Sequence, residues 1–127
     1  QGVSNVLEVC AFDYTTDTAT GNGKGYMTVP VRSNNMNLVN VHARVITAGT
    51  TGVLTVQIYN VTKAQSMLST DITVDSGQTG SNTAAVPAVI NPANAGVSSY
   101  DLLRVDVSTV HTTPAKGLIV TLEFQLP

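Results

Sequence analysis

Leu102-Leu103-Arg104-Val105-Asp106-Val107-Ser108 and Leu118-Ile119-Val120-Thr121-Leu122-Glu123-Phe124 are the stretches whose reading decides the fold class. In the first, Leu103, Val105 and Val107 alternate with Arg104, Asp106 and Ser108. In the second, Leu118, Val120, Leu122 and Phe124 alternate with Ile119, Thr121 and Glu123. A repeat of two is the side-chain period of a strand, because successive Cβ atoms point to opposite faces. The residues between them, His111-Thr112-Thr113-Pro114-Ala115-Lys116-Gly117, have turn chemistry, and the two strands are expected to form a hairpin around them.

The same period recurs toward the N-terminus, and helical spacing is nowhere sustained. Leu7 to Tyr14 sets Leu7, Val9 and Ala11 against Glu8, Cys10 and Phe12. Thr15 to Gly25, with Gly21, Gly23 and Gly25, reads as a flexible loop. Tyr26 to Arg32 reads as a strand placed at a sheet edge or carrying a bulge, because Pro30 has no amide donor. Met36 to Thr47 puts Val39, Val41, Ala43 and Val45 on a core face and Asn40, His42 and Arg44 on the other. Val53 to Val61 is expected to be its antiparallel neighbour across the turn 48–52. Short strands are expected at 66–68 and 71–74, a loop at 76–83, and an extended segment at 84–90. Asn91 to Gly96 has the residues of a turn, with room for one helical turn.

About eight strands separated by turns indicate an all-β, jelly-roll-like antiparallel β-sandwich. With 127 residues and 13.2 kDa the chain is one domain. We divide it into residues 1–35, an N-terminal arm with the first strands and the Gly-rich loop, and residues 36–127, the remainder of the sandwich. Two Phe and no Trp leave an aliphatic core of Val, Leu, Ile and Ala, of the kind completed by packing against identical chains. Charged residues are 11% and the net charge is −2, which offers no attraction to nucleic acid or to an anionic membrane. No apolar run is long enough to cross a bilayer as a helix. Gln1 in the place of an initiator methionine implies that residues preceding it have been removed.

Side chains with chemical potential have bland readings. Cys10 cannot close an internal disulfide and reads as a small strand residue. Gly21-Asn22-Gly23-Lys24-Gly25 lacks the spacing and the following helix of a phosphate loop. His42 and His111 have no metal-ligand spacing; they read as a polar-face residue and a strand-end residue, with hydrogen bonding at an interface as the natural refinement. Asp71 with Asp75 and Asp13 with Asp17 stand four apart, a spacing that could serve calcium or acid–base chemistry, yet nothing completes either site. They read as turn aspartates. Asn60-Val61-Thr62 matches a glycosylation pattern that matters only in a secretory pathway. No catalytic, cofactor-binding or metal-binding residue is assigned, no cofactor is expected, and the chain is read as not an enzyme.

One resemblance adds to this. Tyr100-Asp101-Leu102-Leu103-Arg104-Val105-Asp106-Val107, with Thr112 through Phe124, resembles the closing hairpin of small β-sandwich proteins of tailed bacteriophages. Val45 to Gly52, Val56 to Thr62 and Met67 to Thr70 are similar to the same group, so the likeness spans residues 36–127. It implies a structural virion protein: a capsid decoration (cement) protein on the outer capsid surface, a homotrimer whose partners are itself and the major capsid protein. The alternative it implies is the tip of a tail fibre or spike that binds a host receptor or glycan. The short length favours the first, because a fibre carries a shaft or attachment domain as well.

Overall fold

The structure, a computed structural model, describes residues 4–127. Ten strands follow in order: β1 (Ser4–Asp17), β2 (Gly21–Thr28), β3 (Asn37–Arg44), β4 (Val53–Asn60), β5 (Gln65–Ser66), β6 (Leu68–Thr70), β7 (Ile72–Asp75), β8 (Val89–Ile90), β9 (Leu102–Thr109) and β10 (Lys116–Gln125). Single 3-10 turns lie at Val31–Ser33, Ser81–Thr83 and Pro92–Asn94. The protein is all-β, with antiparallel sheets packed as a sandwich. One sheet runs β1-β10-β3; the other runs β2-β9-β4-β5, with β7 also on β4; and β6 pairs with β8 in a small third ladder.

The inward parity of β4, β9 and β10 is the one the alternation marks. Leu54, Val56 and Ile58, with Leu103 and Val105 beside them in the same sheet, face Leu118, Val120, Leu122 and Phe124 of the other sheet, all fully buried. Burying such side chains stabilises the fold by about 1.5–3 kcal/mol each, which explains why an almost purely aliphatic interior suffices. Among the described Phe and Tyr residues Phe124 alone is fully buried, while Tyr14, Tyr26 and Tyr100 are exposed.

Four expectations are corrected. β9 and β10 do not form a hairpin, since β9 is central in one sheet and β10 in the other. β3 and β4 are likewise not neighbours: β3 pairs with β10, and β4 with β9. A connection short enough for a hairpin also spans the gap of about 10 Å between packed sheets, and here both connections do. The two arches lie side by side, joined by the bridges Thr47–Lys116 and Thr50–Thr113, and they close one end of the sandwich. Third, the Gly-rich stretch is strand rather than loop. β1 continues to Asp17 and β2 begins at Gly21, its register on β9 slipping between Gly21 and Gly25. A Cβ on Gly25 would meet the Val9 side chain at 3.3 Å, so lack of bulk lets β2 lie close to β1. β2 also ends at Thr28, and the chain then passes through Pro30 into the first 3-10 turn.

Fourth, the inward parity expected of β3 holds at Ala43 and Val45 and breaks at Val39, which is 45% exposed while Leu38 is buried. The cause is a bulge. Asn40 pairs with Glu123 and Leu38 with Phe124, so Val39 is the extra residue that turns the strand over.

Candidate functional site

The side chains singled out in the sequence are dispersed, and each carboxylate among them has a structural partner. Asp13 accepts from the Thr15 amide and hydroxyl and the Thr16 hydroxyl, bonds that hold its pKa below the ordinary value, the Thr16 hydroxyl contributing most. Asp17 pairs with Lys116 at 2.7 Å. Asp71 accepts from Gln57 Nε2, and Asp75 from the Ala85 amide, so the two do not converge. Burial pushes the Asp71 carboxyl up, and the Gln57 bond offsets part of that. Among the described residues, no group of three or more His, Cys, Asp or Glu is placed to hold a metal ion. Cys10 is exposed on the outer face of β1.

The two histidines lie in different surroundings. His42 is exposed on β3. His111 is buried in the second arch, and neither ring nitrogen has a hydrogen-bond partner. Gly49 of the neighbouring arch lies so close that a Cβ there would overlap the imidazole. The glycosylation pattern is closed off in the folded chain: Asn60 is fully buried and its amide donates to Asp101 Oδ2 at 3.1 Å.

Two polar clusters escaped the sequence reading. Asp101, just before β9, is 3% exposed and accepts from Asn60, from the Ser98 amide at 3.0 Å and from Lys63 Nζ at 2.9 Å. Burial alone would raise its pKa, but these three donors outweigh it and leave the carboxyl below its ordinary value. Asn60 continues the inward parity of β4, and a polar residue at a core position is the signal that a partner must exist. On the outer face of the β2-β9-β4 sheet, Tyr26, Arg104 and Tyr59 form one cross-strand row. The Arg104 guanidinium lies 4.5 Å from the Tyr59 ring centre and binds Asp106 through Nε at 2.7 Å and Nη2 at 3.0 Å. The Asp106 bond raises the Arg104 pKa further. Asp106 also accepts the Gly23 amide, which ties down the Gly-rich segment.

A groove of about 900 Å³ lies between β3 and residues 84–90. Val41, Ala88 and Ile90 pack against the core beneath it, and His42, Arg44 and Asn82 also line it. Comparison with family models, curated proteins and solved structures finds no match to this chain. Each carboxylate of the two clusters has a hydrogen-bond or ion-pair partner, and none of these partners is a histidine.

Proposed function

We propose that the chain is a structural protein of a phage virion, a decoration protein that binds the outer capsid surface as a homotrimer and stiffens the head. The observation that carries the reading is the strand order. β1-β10-β3 against β2-β9-β4-β7 places the first and last strands together in one sheet, and the second and the next-to-last in the other. That is the order produced when a chain of eight strands is folded double and rolled into two sheets, as in the jelly rolls of viral capsid and lectin domains. We therefore read the sandwich as a jelly roll, with 84–90 in the place of its sixth strand. The likeness of residues 36–127 to small phage β-sandwich proteins points the same way. The outer face of the β1-β10-β3 sheet, with Val6 58% exposed beside Glu123 and Cys10 beside Ile119, supplies a surface of mixed apolar and charged side chains for contact with other chains.

The test is rebinding to capsids stripped of this protein. Saturable binding at micromolar concentration, with a gain in resistance to heat or osmotic shock, is the expected result; no rebinding overturns the reading. Immunogold labelling of particles distinguishes the alternative. Gold over the head agrees with decoration, whereas gold confined to the tail makes the chain a host-recognition module, for which the exposed Tyr26 in the Tyr26-Arg104-Tyr59 row is the natural contact. An arm at residues 1–3 falls outside the described residues. Ser4 onward is strand, so a truncation meant to test such an arm has to stop before Ser4 to leave β1 whole.

A further inference from the structure

The groove between β3 and residues 84–90 is bounded by two strand edges. The outer edge of β3 is bridged only at its ends, Asn37 to Gly96 and Arg44 to Gly80. Inside these points the Leu38 amide donates to the Ala95 carbonyl and the Ala43 amide to Ser81, and over the stretch between them, Val39 to His42, roughly 13 Å, no strand among the described residues pairs with β3. The Ala43 amide, which donates to Ser81 Oγ, points to this outer edge, and alternate residues of a strand present their polar groups to the same edge. The Val41 N–H and C=O therefore face the groove. The opposite wall leans away: the Ala85 amide donates to Asp75, the Val86 carbonyl accepts from Thr73, the Val89 carbonyl from Ser69, and β8 pairs with β6.

The groove thus joins an unpaired strand edge to an apolar floor, which is what β-augmentation requires. Its charge selects the guest. His42 and Arg44 are the only titratable side chains that line it, in a chain whose net charge is −2. Arg44 makes none of the ion pairs found among the described residues. The carboxylates on the same outer face, Glu123 bonded by Asn40 and Glu8 by Thr121, keep their charge but do not line the groove.

We propose that this groove binds an extended segment of a partner protein that adds a strand to β3, its small aliphatic side chains on Val41, Ala88 and Ile90 and an acidic residue beside Arg44. This goes beyond the virion reading and does not depend on it. The probe is a blocked synthetic heptapeptide, Ser-Val-Asp-Val-Thr-Val-Ser, titrated into the isotope-labelled protein and followed through its amide resonances. Saturable shifts confined to residues 39–44 and 84–90 are expected. The Asp-to-Asn peptide should bind about tenfold more weakly, the worth of one charge-assisted bond, and a peptide with proline at its central Val should lose binding because a ladder donor is gone. Arg44→Glu, an exposed substitution that leaves the core intact, should reverse the preference toward a Lys-containing peptide. No saturable shift at millimolar peptide, shifts elsewhere, or indifference to Arg44→Glu would overturn the proposal. So would concentration-dependent shifts at the same residues without peptide, which would make a second copy of the chain the occupant.

Discussion

Asp101 shows how one side chain can hold three separate stretches of chain. It receives Asn60 at the end of β4, Lys63 in the following turn and the Ser98 amide, and Asn60 has no exposure to water. Asp101→Ala should destabilise the fold by about 2–3 kcal/mol in urea titration, because the buried Asn60 amide loses its acceptor. The pH dependence has a definite sign. The folded-state pKa of Asp101 is depressed, so its contribution is present above the ordinary carboxylate value and is lost as pH falls through the folded value, below about pH 4. Asp71, whose pKa is raised, acts in the opposite sense: its ionised form disfavours the folded state, and acid relieves this. In urea titrations at stepped pH, Asp101→Asn should therefore lose less stability than the wild type between pH 5 and the acid limit; parallel curves would remove Asp101 as the cause. His111 and Gly49 form a second close contact. Gly49→Ala should cost about 1–3 kcal/mol by overpacking, and His111→Ala in the same chain should recover part of that loss, a coupling read from a double-mutant cycle.

At the scale of elements, the two faces of β10 can be compared directly. Leu122 is fully buried and Ile119 lies on the outer face, partly exposed. Leu122→Ala should cost about 2–5 kcal/mol and Ile119→Ala well under half as much, measured as midpoint shifts at constant slope. That contrast was legible in the residues alone, because β4 and β10 are regular, as is β9 up to Val107, beyond which Ser108 is an extra residue, and a regular strand keeps its parity. β3 does not, since the extra residue Val39 turns the strand over, and no residue type announces a bulge at a valine. The glycines at 21, 23 and 25 misled for a related reason. Glycine signals a loop by its freedom of backbone, and Gly21 and Gly23 do take positive φ, yet they do so inside a strand whose register slips and which the Gly23 amide ties to Asp106, while Gly25 is used for closeness beside Val9. Pairing partners were illegible because the length of a turn does not distinguish a hairpin from an arch. The Arg104–Asp106 pair lies two apart on one strand and could have been read; the groove could not, since it arises from a hydrogen-bond ladder left unmade between segments some forty residues apart.

The whole molecule is built around two central strands, β9 and β10, each flanked on both edges, while β1 and the middle of β3 present open edges. Amide exchange should follow that arrangement. The Val105 and Val120 amides should exchange only by global unfolding, and the Val41 amide orders of magnitude faster by local fluctuation; equal protection of Val41 would mean that its edge is covered in solution. The central place of β10 also bears on how the chain comes into being. β1 and β3 have no partner in their sheet except residues 116–125. During synthesis these two strands wait, unmatched and partly apolar, until residues 116–125 have emerged from the ribosome. That sheet closes only through distant pairings such as Arg44 with Ile119 and Ser4 with Gln125, which makes its formation slow relative to a helical domain of the same length and exposes the nascent chain to aggregation in the interval.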